Sequence, residues 1–83
     1  MGIAYDIAME KVKEMEETLK NKNEISISLA ELLLELINKN ISVSVATGYA
    51  ILACIQEYFK NKGYDVEREK GKLIIKKSVL VKA

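Results

Sequence analysis

The sequence contains no histidine, no proline, no tryptophan and a single cysteine. One cysteine cannot close an intramolecular disulfide. Without histidine, the usual zinc sets of several Cys and His ligands cannot be assembled. The side chain most often used as a general base is missing too. The lone thiol, Cys54, lies in the apolar run Ile51-Leu52-Ala53-Cys54-Ile55. With no imidazole to make it a thiolate, it reads as a small hydrophobe of the core. There is no Gly-rich phosphate loop and no nucleophile elbow. Carboxylates are plentiful, but Glu10, Glu14 and Glu17, and again Glu31 and Glu35, recur at helical spacing on polar faces. There they read as solvated partners of lysines. The expectation is a binding protein and not an enzyme, with no catalytic residue, metal, cofactor or small-molecule substrate.

Also lacking are a charged-then-apolar leader and any apolar run near the roughly 20 residues that a membrane span needs. No membrane role is expected, and the cytoplasm is the expected compartment. Asp6 stands where N-myristoylation wants Ser or Thr, so Met1-Gly2 carries no lipid signal. No linker, low-complexity tract or internal repeat divides the chain, and 83 residues are too few for two cores, so 1–83 reads as one domain. A hydrophobic share of 49 % with 30 % charged residues fits a packed fold and not a disordered tail.

The net charge of +1 conceals a polarised distribution. Residues 1–20 carry five acidic against three basic side chains, and residues 21–59 carry four against two. Residues 60–83 reverse this, with eight basic against three acidic. A basic C-terminal quarter can be an electrostatic footprint for phosphate. It can equally be a solvated strand face whose lysines guard a sheet edge, and charge alone does not choose between these.

Periodicity orders the rest. Ile3, Ile7, Ala8, Val12, Met15 and Leu19 recur at three- and four-residue steps, predicting a helix over 3–21 that stops at Asn21-Lys22-Asn23. Glu24 to Ser28 alternates polar and apolar, as a short strand does. Ser28 followed by Glu31 is a capping box, with Ile27 and Leu32 placed as a hydrophobic staple. The helix it opens runs from Leu29 to Ile37 or Asn38, with Leu29, Leu32, Leu33, Leu36 and Ile37 expected in the core. Ile41 to Val45 alternates like a strand, yet its serines suit a helix cap, Ser44 best. From Val45 the helical period returns through Gly48, Leu52, Ile55 and Phe59, to Lys60, Lys62 and a C′ glycine at Gly63. Beyond it the period falls to two. Tyr64 and Val66 lead into the polar tip Arg68-Glu69-Lys70-Gly71-Lys72, and Leu73-Ile74-Ile75 returns. Val79-Leu80-Val81 either extends that strand or forms a separate piece.

Helix, short strand, helix, helix and hairpin is the order of the winged helix-turn-helix family. The chain resembles it in Ser28-Leu29-Ala30-Glu31-Leu32-Leu33 opening the second helix and in Ile41-Ser42 at the turn. It resembles it most in the stretch from Phe59 through Gly63 to Arg68, where a helix runs into the first wing strand. The resemblance spans 3–77. It implies an α+β fold of three helices with a short strand and a C-terminal wing, the helix-turn-helix at about 28–62 and the wing at about 64–77.

The resemblance also implies double-stranded DNA as partner, for a small transcriptional regulator or nucleoid-associated factor. The residues here fit weak sequence preference. Base readout favours Arg, Lys, Asn and Gln, whereas the third helix opens with Val45, Ala46, Thr47, Gly48 and Tyr49, and no basic residue lies between Lys39 and Lys60. Ser42, Ser44 and Thr47 could bond phosphates at the helix N-terminus, and Arg68, Lys70 and Lys72 are the expected phosphate contacts of the wing. A second expectation uses the same helix differently. Tyr49, Ile51 and Tyr58 lie on other faces than Leu52, Ile55 and Phe59, and they form a candidate protein interface. The partner would be a second copy of the chain or a larger nucleic-acid-processing complex in which it is an adaptor. Cover by the first helix is the plainer account of the same residues.

Overall fold

The computed structural model describes residues 2–78. The elements run α1 (Ile3–Leu19), β1 (Glu24–Ser28), α2 (Leu29–Asn38), α3 (Val45–Asn61), β2 (Asp65–Glu69) and β3 (Lys72–Lys76). The fold is α+β: three helices packed on one three-stranded antiparallel sheet of order β1-β3-β2. Val79-Leu80-Val81 lies outside the described residues.

The helix boundaries follow local chemistry. Ser28 Oγ accepts the Glu31 amide at 3.1 Å, and the Ser28 amide donates to Glu31 Oε1 at 3.0 Å, so the capping box is complete. Asn40 ends α2 in the left-handed region at φ 63°. The Ile41 amide then donates to Leu36 O and the Asn40 amide to Ile37 O, the paired bonds of a Schellman motif. Gly63, at φ 91°, ends α3 in the same way, with Tyr64 donating to Phe59 O and Gly63 to Lys60 O. Ile41 to Ser44 is irregular and not a strand, and Ser44 caps α3 by accepting the Thr47 amide at 3.1 Å. The α1 helix stops at Leu19, two residues before the sequence-based boundary.

Ala8, Val12, Met15 and Leu19 turn one stripe of α1 into the core, against Ile51, Leu52, Ile55 and Phe59 of α3 and Leu73 and Ile75 of β3. Phe59 stacks edge-on with Tyr64 at 5.0 Å between ring centroids. Leu29 and Leu33 of α2 pack against α3 at Gly48, where a Cβ would lie 2.7 Å from Leu29 Cδ1 and displace that side chain. One core expectation, Ile37, is corrected, and Val45, where the helical period resumes, also stays outside the core. Ile37 is 59 % exposed and Val45 56 % exposed. The ten-residue α2 buries Leu32 and Leu36 fully and Leu29 and Leu33 in part, which leaves Ile37 beyond the stripe that the core can cover. Val45 is the first residue of α3 and lies outside the packed turns.

The sheet holds one arrangement the alternation could not show. The β1 strand joins the hairpin as a third strand, pairing with β3 from Glu24↔Lys76 to Ser28↔Lys72. The Leu29 amide extends this by donating to Gly71 O at 2.6 Å. The hairpin is therefore matched along its whole length and does not project beyond β1.

Candidate functional site

The outward side of α3 is the candidate site. Its inner stripe, Gly48, Ile51, Leu52, Ile55 and Phe59, is fixed in the core. The 3.6-residue period then turns Ala46, Ala50, Ala53 and Glu57 directly away from it, and all four are exposed. Tyr49 flanks this ridge on the hairpin side and Tyr58 on the α1 side. Glu57 is the first charged side chain that α3 carries.

Ile51 does not belong to this surface. It is fully buried and packs in the main core, so the expectation of one outward face shared by Tyr49, Ile51 and Tyr58 is corrected. Ile51 lies 100° from Leu52 on the helix wheel, but the core wraps α3 widely enough to take both. Tyr58 is half-buried, and its hydroxyl donates to Glu16 Oε2 of α1 at 2.9 Å. Burial first, and then the Glu16 hydrogen bond and charge, push that hydroxyl above the usual tyrosine pKa, with Lys62 opposing. The first helix thus covers Tyr58 in part and leaves Tyr49 40 % exposed. Between α1 and α3 an open groove of about 400 Å³ runs past Tyr5, Met9, Ala53 and Cys54. Cys54 is half-buried there.

The residues expected to meet DNA are placed as follows. Ser42 is exposed in the turn before α3. Ser44 and Thr47 are engaged with each other, through the cap and through Ser44 Oγ donating to Thr47 Oγ1 at 3.1 Å. Arg68 is held by α3: its Nη1 donates to Gln56 Oε1 at 2.9 Å, and the guanidinium lies 5.9 Å from the Tyr49 ring centroid. Gln56 is a site residue that sequence reasoning missed, since its role depends on which strand residue turns toward α3.

Register divides the basic residues. Arg68 pairs with Leu73, whose side chain is buried, so Arg68 lies on the helix-facing side of the sheet. Lys72 pairs with Glu69 and with Ser28, and the period-two alternation sends it to the other side. Lys76 is opposite both Asp65 and Glu24 on that outer side. Directly opposed side chains in an antiparallel pair have Cβ atoms roughly 5 Å apart, so these carboxylates offset the lysines locally. Arg68, Lys70 and Lys72 thus do not form one patch: Arg68 and Lys72 face opposite sides, and Lys70 is exposed at the tip.

On α2, Leu34 is 60 % exposed, and with Ile37 it adds apolar surface to the same helical layer. Among the described residues no helix is long and apolar enough to cross a membrane, and no group of three potential metal ligands is present. No protein-family model, curated protein or solved structure matches the chain.

Proposed function

We propose that this chain is a winged helix-turn-helix module that works as a protein-binding adaptor or accessory subunit, with the outward side of α3 as its contact surface. The element order and the two-stranded hairpin after α3 support the winged-helix reading. The observation that carries the functional reading is the uncharged face of α3 from Val45 to Ala53, lined by Ala46, Tyr49 and Ala50. A helix entering the major groove must bring donors and acceptors to base edges and cations to phosphates. This face brings methyl groups and one tyrosine ring. Interface cores, by contrast, are depleted in charge and enriched in tyrosine.

DNA binding is the second reading, as a regulator or nucleoid-associated factor that grips the duplex backbone. It is favoured by Arg68, which Gln56 and Tyr49 hold on the α3 side of the sheet, together with Lys70 at the hairpin tip and the exposed Ser42. Fluorescence anisotropy of a labelled random-sequence duplex, titrated at two salt concentrations, separates the two. The adaptor reading expects no binding at micromolar protein, even at low salt. Micromolar binding that collapses as salt rises would replace it with the DNA reading, because loss of counterion release weakens phosphate contacts steeply.

A further inference from the structure

We infer that the free edge of β1 is a docking site for an extended basic peptide, which adds to the sheet as a fourth strand and places a lysine or arginine in the cleft between α1 and α2. This surface is separate from the α3 face, since β1 and β2 are opposite edges of the sheet and β2 is the edge that packs on α3.

In an antiparallel ladder, alternate residues point both backbone groups at the same neighbour. The Asn23 carbonyl accepts from the Lys77 amide, and the Leu29 amide donates to the Gly71 carbonyl. Odd-numbered residues of this segment therefore face β3, as the pairs Ile25↔Ile75 and Ile27↔Leu73 require. Glu24, Ser26 and Ser28 face the other way. Ser28 is occupied, because its amide donates to Glu31 in the capping box. The outward amide and carbonyl of Glu24 and Ser26 meet no protein backbone partner among the described residues. Water satisfies such an edge, and so does an added strand.

A cleft of about 130 Å³ opens against Ser26, with Met15 of α1 and Ile27 of β1 at its apolar base. Glu14, Glu31 and Glu35 form its rim together with one cation, Lys11. The Lys11 ammonium is already committed to Glu35 at 2.8 Å and Glu14 at 3.4 Å. Lys39 reaches Glu14 from outside the cleft at 3.8 Å, so three carboxylates against two ammonium groups leave the rim with a net negative charge. An apolar base under an acidic rim matches a long side chain that buries its methylenes and keeps its charge at the surface. Lysine and arginine have that chemistry, and a glutamate would meet repulsion. A second copy of this chain is a poor occupant, since its β1 would bring Glu24 and its β2 would bring Asp65, Glu67 and Glu69 to an already acidic rim.

The length of free edge sets the affinity. The capping box closes it at Ser28, so only Glu24 and Ser26 pair, giving up to four backbone hydrogen bonds. Binding is thus expected to be weak, with a Kd on the order of 100 μM. The test is a nitrogen-15 NMR titration of the full chain with a seven-residue peptide of alternating lysine and valine, beside a matched peptide of glutamate and valine. The expected result is shifts and slowed amide exchange at Glu24 and Ser26 with the lysine peptide only. Glu31→Gln should then weaken binding at least threefold, because glutamine still completes the capping box while one rim charge is lost. The inference is overturned if 1 mM lysine peptide shifts nothing, if the glutamate peptide binds equally, if the shifts fall on β2 or α3, or if Glu31→Gln binds as wild type. None of these outcomes bears on the α3 face, whose reading stands or falls with the duplex titration.

Discussion

Lys11 of α1 reaches across to Glu35 of α2, 24 residues on in sequence, and places its ammonium 2.8 Å and 2.9 Å from the two carboxylate oxygens, joining the two helices. The lysine side chain is 17 % exposed and the glutamate 39 %. Exposed ion pairs contribute little, and breaking fully buried ones is expensive because an unpaired charge remains. This pair lies between those limits and nearer the exposed one. A double-mutant cycle with Lys11→Met and Glu35→Gln, followed by urea unfolding, should give a coupling energy of about 1 kcal/mol. Coupling within error of zero would mean that α1 and α2 are held by apolar packing alone.

The same lysine and Tyr58 set a stability limit at high pH. Burial lowers the Lys11 pKa, but the hydrogen bond and charge of Glu35, with Glu14 assisting, outweigh it, and the result lies above the ordinary lysine value. Tyr58 is also raised, by burial and by Glu16. In both cases the folded state holds its proton more tightly than the unfolded chain does. Their contribution is complete below the unfolded pKa values, about 10 for both groups, and is lost as pH rises through the folded ones. Thermal unfolding followed between pH 8 and pH 11 should show a midpoint that falls above about pH 10. Tyr58→Phe and Lys11→Met should each make that fall shallower. An unchanged slope in both variants would remove these two groups as the cause.

Local signals carried most of the helix boundaries. Ser28 with Glu31, Asn40 and Gly63 each act through hydrogen bonds within a few residues, so their effect can be read from adjacent sequence. Register is different. Whether β1 joins the hairpin depends on backbone groups about fifty residues apart, such as those of Ile25 and Ile75. Alternation shows that both segments are strand-like without saying that they pair. The arrangement of the basic C-terminal quarter was illegible for the same reason. A charge count cannot see that Lys76 faces Asp65 and Glu24, or that Arg68 and Lys72 turn to opposite sides of one sheet. Helix period alone also could not set how wide a stripe the core would take, which is why Ile37 stays exposed and Ile51 is enclosed.

That last contrast can be measured on α3 itself. Ile51 and Tyr49 are two residues apart, yet one is fully buried and the other is 40 % exposed. Truncating Ile51 removes buried methylenes and leaves a cavity beside Leu52 and Ile55, so Ile51→Ala should cost about 3 to 4 kcal/mol. Tyr49→Ala removes a ring that solvent already reaches and the contact it makes with the Arg68 guanidinium, together about 1 kcal/mol or less. Equilibrium urea unfolding of the two variants against wild type reads this difference directly. Similar costs would mean that the Tyr49 ring is part of the monomer's packing, and the α3 face would then lose its one large side chain available for a partner. A large cost at Ile51 with almost none at Tyr49 leaves that ring free to be buried by another molecule, which is the condition the adaptor reading requires.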